Sequence, residues 1–246
     1  MSLEYREEME AAEAVPDEMR QPAEAVPVPL YTYVLLIAIA AVFAAQLYAG
    51  MSNERAFAAA FNKPEFTRGA YWLILTGATL HGSILHVLMN GYALFSFGRL
   101  MELLSNRAHL AIVYLLSALG GGVLSLIFRP DGSSVGASGA IVGLLTYLAV
   151  YAFRRRKFIS PEFRKSLLIN IGFILVFGLV LFRQIDNFGH IGGMIVGAVY
   201  GFTQIPSDEH VDPRQAGSAV ETAGIVALGI YLAGCGFSIL ITLGVV

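Results

Sequence analysis

Residues 30–50, LYTYVLLIAIAAVFAAQLYAG, run for twenty-one positions without a charged side chain. At about 1.5 Å per helical residue, a run of this length crosses a hydrocarbon core of roughly 30 Å. A backbone in lipid must satisfy its hydrogen bonds within a helix or a closed barrel, and the run lacks the period-two alternation of a barrel strand. It reads as a transmembrane helix. Similar apolar blocks follow at about 82–103, 109–128, 136–153, 167–183, 189–205 and 220–246. The sequence therefore predicts an all-α, polytopic membrane protein with seven spans.

Composition agrees with this reading. Of the 246 residues, 56% are hydrophobic and 14% charged, and the mean hydropathy is +0.66; soluble domains carry about 25% charged residues. The twenty-six glycines suit bilayer helices, which use small residues for close approach. A net charge of -2 gives no reason to expect nucleic acid. The lone Cys235, inside an apolar block, excludes an internal disulfide and a thiolate metal site.

Residues 1–29 hold eight acidic side chains, two arginines and Pro16, Pro22, Pro27 and Pro29. They are expected to form a solvated, disordered tail, with the first span retained as an anchor. The loop after span four carries Arg154, Arg155, Arg156, Lys157, Arg164 and Lys165, which predicts that it is cytoplasmic. The N-terminus is then inside and the C-terminus outside, with eleven basic residues on the inner side against five outside. The connection from about 51 to 80, with Phe57, Phe61, Phe66, Tyr71 and Trp72, is expected to lie partly in the membrane interface.

The interiors of the spans contain essentially no Asp, Glu, Lys or Arg, which argues against an ion-coupled transporter built on buried carboxylates. Their polar residues are more selective. His86 and Asn90 are four apart in span two and share a helical face. Ser138 lies in the first turn of span four, within Gly136-Ala137-Ser138-Gly139, and His190 opens span six. In the predicted topology all three spans run outside to inside, so these residues converge near the external leaflet. Span six carries Gly189, Gly193, Gly197 and Gly201 at every fourth position, and span four offers Gly136, Gly139, Ala140 and Gly143; these small faces allow close helix packing. A serine hydroxyl and an imidazole need about 2.6–3.2 Å for proton transfer. The pattern points to nucleophilic catalysis, with His190 as general base for Ser138. Asn90, His86 and the Ser138 backbone N–H would donate to a tetrahedral oxyanion. A dyad is the default, with Asp186 and Asn187 the nearest candidates for orienting His190. The motif is not the G-x-S-x-G elbow of α/β-hydrolases, because the second glycine directly follows Ser138, position 140 is alanine, and no strand is expected in an all-α chain.

These residues resemble the rhomboid family of intramembrane serine proteases. The likeness covers residues 30–205 and rests on His86-Val-Leu-Met-Asn90 with Gly98 and Glu102, on Gly136-Ala-Ser138-Gly139, and on Gly189-His190-Ile-Gly192-Gly193 with Gly197. The resemblance implies a six-helix catalytic core, a loop at 206–219 and an additional C-terminal helix at 220–246. It further implies a Ser138–His190 dyad with Asn90 and His86 on the oxyanion side, hydrolysing a peptide bond in or beside the transmembrane segment of client proteins near the external leaflet. Two departures stand out. Leu73 follows Trp72 where the family often has Trp-Arg, and Val142 stands where an aromatic ring often packs on the histidine, so support of the site is expected to be looser.

The expected partners are transmembrane protein substrates and membrane lipid, with no nucleic acid, cofactor or metal and no signal for an oligomeric state. The expected location is the plasma (inner) membrane. The alternative is a non-catalytic rhomboid-like protein that binds client transmembrane helices, although such proteins generally lack the serine or the histidine and this chain keeps both. No internal repeat or broken mid-membrane helix supports a transporter or channel.

Overall fold

The computed structural model describes residues 28–181 and 185–246. The acidic tail expected over 1–29 lies almost wholly outside the described residues, as does Arg183. Among the described residues seven long helices carry the fold: α1 (Leu30–Ala49), α2 (Ile84–Leu104), α3 (Arg107–Phe128), α4 (Ser138–Arg154), α5 (Pro161–Val180), α6 (Asn187–Gln204) and α7 (Ser218–Thr242). Local chemistry sets where they begin. Ser83, Asn106, Ser160 and Asp186 each accept a backbone N–H from the first turn that follows, so a side-chain oxygen satisfies one of the orphan donors of each start. The Ser160 cap with Pro161 at the first helical position starts α5 six residues earlier than hydropathy suggests. Arg164 and Lys165 consequently lie on that helix and not in the preceding loop.

The helices do not meet the membrane equally. Among the described residues α1, α3, α5 and α7 are each long and apolar enough to cross alone, and α2 passes when joined to the helical stretch Leu73–Thr79 across a 91° bend. Helix α4 has 17 residues, of which 12 are buried. Surrounded by protein, it has little lipid to match, so its length is not set by bilayer thickness. Helix α5 is the opposite case, with only Leu167 and Gly178 buried. Together the helices make a multi-pass integral membrane protein.

Contacts at the helix ends show that the chain alternates between two faces. At one end Glu102, near the end of α2, accepts hydrogen bonds from the backbone N–H groups of Tyr31 and Thr32 at 3.3 and 2.7 Å and from the Thr32 hydroxyl at 2.7 Å. A carboxylate thus caps the start of α1, where the helix dipole favours negative charge. Asn106 donates to Glu221 at the start of α7 at this same end, and Arg155 holds the Asp208 and Val211 carbonyls of the α6–α7 connection. At the other end lie the 51–83 and 129–137 connections, stitched by a two-residue antiparallel ladder pairing Phe61 with Ser134 and Asn62 with Ser133. The starts of α2, α4 and α6 all gather here.

Helix α7 braces the 51–83 connection. The Thr79 hydroxyl donates to Ser238 at 2.8 Å, the Trp72 and Phe237 rings meet edge-on at 5.9 Å, and a Cβ at Gly234 would press on Leu75 at 2.8 Å. Gln46 of α1 adds three bonds, donating to the Ala56 and His81 carbonyls at 3.0 and 3.2 Å and accepting from the His81 N–H at 3.0 Å. Leu73 itself is buried. The loop therefore has polar support without an arginine after Trp72, supplied in part by the additional helix.

Candidate active site

The serine side begins with a turn that glycine takes without strain. Gly136 has φ 129°, in the left-handed region, where a side chain is disfavoured, and its N–H donates to the Gly77 carbonyl at 3.0 Å. A Cβ there would lie 2.8 Å from His86 Cε1 and 3.0 Å from Nε2, and 3.7 Å from Ser138 Oγ. Glycine thus leaves open a gap between the His86 ring and the Ser138 hydroxyl. Two residues on, Ser138 opens α4 with its hydroxyl 2.8 Å from His190 Nε2, inside the distance for proton transfer.

The histidine side is set by α6. Asp186 caps this helix by accepting the Gly189 N–H at 3.0 Å, and its carbonyl accepts the His190 N–H at 3.1 Å. Its second carboxylate oxygen accepts the Ser125 hydroxyl. Asp186 is therefore not hydrogen-bonded to the imidazole, and His190 Nδ1 is buried without a hydrogen-bond partner among the described residues. Asn187 donates to the Gly178 carbonyl at 2.9 Å and ties α6 to α5. Among the described residues serine and histidine form a pair, with no third member hydrogen-bonded to the imidazole.

Glycine packing makes this pair possible. A Cβ at Gly193 would collide with the Gly139 carbonyl group, lying 2.8 Å from its carbon, and one at Gly197 would lie 2.7 Å from the carbon of the Gly143 carbonyl. A Cβ at Gly139 would lie 3.3 Å from the Gly189 carbonyl oxygen, and one at Gly189 would lie 3.2 Å from the Asp186 carboxylate carbon. The backbones of α4 and α6 are in direct contact, as small-residue faces permit. Helix α3 shares this packing: a Cβ at Gly121 would lie 2.6 Å from the Gly189 carbonyl oxygen, and one at Gly192 would lie 2.9 Å from Gly121 Cα. The Gly120-Gly121-Gly122 triplet is the sequence signal for this third helix. The glycine excess joins three helices, not two.

The remaining polar residues converge at the same end. The Gly82 N–H points to His86 Nδ1 at 3.4 Å, which leaves Nε2 to carry the proton on the side facing Gly136 and Ser138. Asn90 is buried, and its Nδ2 has no hydrogen-bond partner among the described residues; a buried amide donor without an acceptor costs free energy unless something binds there. Behind Ser138 is a cavity of about 50 Å³ walled by Gly136, Ser134, Asp186, Gly121 and Phe61, roomy enough for about one or two waters. Val142 is buried. Among the described residues no three His, Cys, Asp or Glu side chains gather to hold a metal ion.

The fold and this site define a class: a multi-pass helical membrane protein with a serine and a histidine apposed where two glycine-packed helices begin. Comparison with known proteins gives the family. A model described as "Rhomboid domain" matches residues 68–207, more than half of the chain, and the protein belongs to the rhomboid family. It is 33% identical over 172 residues to "Rhomboid protease GluP" of Bacillus subtilis (strain 168), covering 69% of this chain and 34% of that protein. It is 35% identical over 141 residues to "RHOMBOID-like protein 2" of Arabidopsis thaliana, covering 53% and 41%. It is also 35% identical over 150 residues to "Inactive rhomboid protein 1" of Papio anubis, covering 59% and 17%. The chain spans less than half the length of these curated relatives.

Proposed function

We propose that this protein is an intramembrane serine protease that cleaves a peptide bond in or beside the transmembrane segment of membrane-protein substrates. The observation that carries the reading is the 2.8 Å approach of Ser138 Oγ to His190 Nε2. Ser138 Oγ attacks the scissile carbonyl carbon while His190 Nε2 takes its proton. The oxyanion is met by Asn90 Nδ2, His86 Nε2–H and the Ser138 backbone N–H. His190 gives its proton to the leaving amine as the C–N bond breaks, leaving an acyl-serine. Water, for which the cavity lined by Ser138 is a reservoir, then loses a proton to His190 and attacks the ester, and His190 returns that proton to Ser138 Oγ as the C–O bond breaks and the carboxylic acid leaves.

The site lies at the end of the bundle opposite the α1 start. With the basic 154–157 loop cytoplasmic, as in an inner-membrane protein, the N-terminus is inside and the chemistry occurs near the external leaflet. Gly136, Gly139, Gly189, Gly193 and Gly197 serve the reaction by packing. The likeness to an inactive rhomboid protein supports a second reading, in which the chain binds client helices without cutting them.

A test uses purified protein in liposomes with a single-span reporter whose transmembrane segment has Gly and Ala near its outer end. The expected product has a new terminus within or beside that segment, mapped by mass spectrometry. Asn90→Ala is expected to lower kcat by about 10²–10³-fold, the usual cost of losing one oxyanion donor, with KM little changed. Reporter that binds but is never cut would favour the second reading.

A further inference from the structure

Lys63 is a lysine where lysine is costly. It follows the Phe61–Asn62 strand, its side chain is 1% exposed, and burying a cation is unfavourable unless partners compensate. Its Nζ donates to Ser134 Oγ at 2.9 Å and lies 3.7 Å from Asp186 Oδ2, with the Phe61 ring centroid 5.3 Å away. Its backbone N–H donates to the Gly132 carbonyl at 3.2 Å. The two partners hold matching positions. Ser134 is four residues before Ser138, on the strand that leads through Gly136 into α4. Asp186 is four residues before His190 and caps α6. One ammonium group therefore spans the approaches to both members of the Ser138–His190 pair, from a loop more than sixty residues away from either.

We propose that Lys63 is a positioning residue that sets the spacing of Ser138 and His190, acting through Ser134 on one side and Asp186 on the other. This inference rests on the dyad reading of those two residues. Neither partner of Lys63 touches the imidazole, so the effect passes through the backbone. Asp186 fixes the first turn of α6 through the Gly189 N–H, and the Phe61–Asn62 ladder with Ser133–Ser134 fixes the strand before α4. The electrostatics suit such a link. Burial alone would raise the Asp186 carboxyl, but hydrogen bonds from Ser125 and the Gly189 N–H, with the Lys63 ammonium, hold it below the usual carboxylate range. Burial pushes the Lys63 ammonium down, Asp186 opposes this, and Arg129 adds to it.

The test compares wild type, Lys63→Met, Asp186→Asn and the double variant by fluorophosphonate labelling at Ser138, by kcat and KM on the single-span reporter, and by Tm. Asparagine can still accept the Gly189 N–H, so the cap survives in Asp186→Asn while the charge is lost. Each single variant is expected to lower kcat and the labelling rate at least about tenfold, with KM within about twofold, as expected for misplaced reacting groups. The double variant buries no lone charge, so its Tm is expected to return toward wild type while kcat stays low. This split separates positioning from mere stabilisation, and it can be read from the double variant alone if a single variant does not fold. Recovery of kcat together with Tm in the double variant, or wild-type kcat in folded single variants, would overturn the proposal. A wild type that is not labelled at all would instead contradict the dyad reading on which it rests.

Discussion

Ser138→Ala is expected to lower reporter cleavage by at least about 10⁴-fold, because in serine enzymes that act through a base-activated hydroxyl the nucleophile cannot be replaced by neighbouring groups. The substitution removes one oxygen from a site that is otherwise packed backbone to backbone. The Gly136 turn, the Gly139–Gly193 contact and the Asp186 cap do not involve the hydroxyl, so the fold and Tm are expected to stay close to wild type. Loss of turnover without loss of structure is the outcome to look for, measured as kcat on the reporter beside a thermal melt.

Gly193→Val is expected to damage both structure and chemistry. A Cβ at this position would collide with the Gly139 carbonyl group, and both partners are rigid helix backbone. Relief requires α4 and α6 to separate, at a cost of about 1–3 kcal/mol or more for overpacking. The same movement pulls His190, three residues earlier in α6, away from Ser138, which directly precedes Gly139. A displacement of about 1 Å in reacting groups can cost about 10²-fold, so kcat is expected to fall at least that far, with a lowered Tm. Gly229→Val on α7, where nothing lies within 4 Å of a Cβ, is the control and should leave both near wild type. Equal effects at the two positions would show that the glycine contact is not what sets the pair.

Much of this architecture is written locally. Each apolar run from Leu30 onward reports its own helix, and for α1, α3, α5 and α7 bilayer thickness imposes a length that a window of about twenty residues detects. Ser138, His190, His86 and Asn90 could be proposed from the sequence because each lies in the first two turns of one of three parallel helices, so that order along the chain translates into depth in the membrane. The start of α5 at Pro161 escaped hydropathy because a capping serine and a proline, not apolar content, decide it. The share of α3 in the glycine seam is visible in Gly120-Gly121-Gly122 only once α6 is known to lie against it. Lys63 and Asp186 are more than 120 positions apart, and no periodicity links a loop lysine to a helix cap that distant; only the folded chain brings them within 3.7 Å. The bracing of the 51–83 connection by Ser238 and Phe237 was hidden for the same reason, which is why Leu73 looked like a missing support.

In the proposed mechanism Ser138 is a nucleophile activated by His190. This activation is tested most directly by treating wild type, Ser138→Ala and His190→Ala with a fluorophosphonate probe in detergent and mapping the adduct by mass spectrometry. An adduct is expected on Ser138 in the wild type, none in Ser138→Ala, and labelling slowed by several orders of magnitude in His190→Ala. Undiminished labelling of His190→Ala, or a folded wild type that takes no probe at Ser138, would contradict this mechanism.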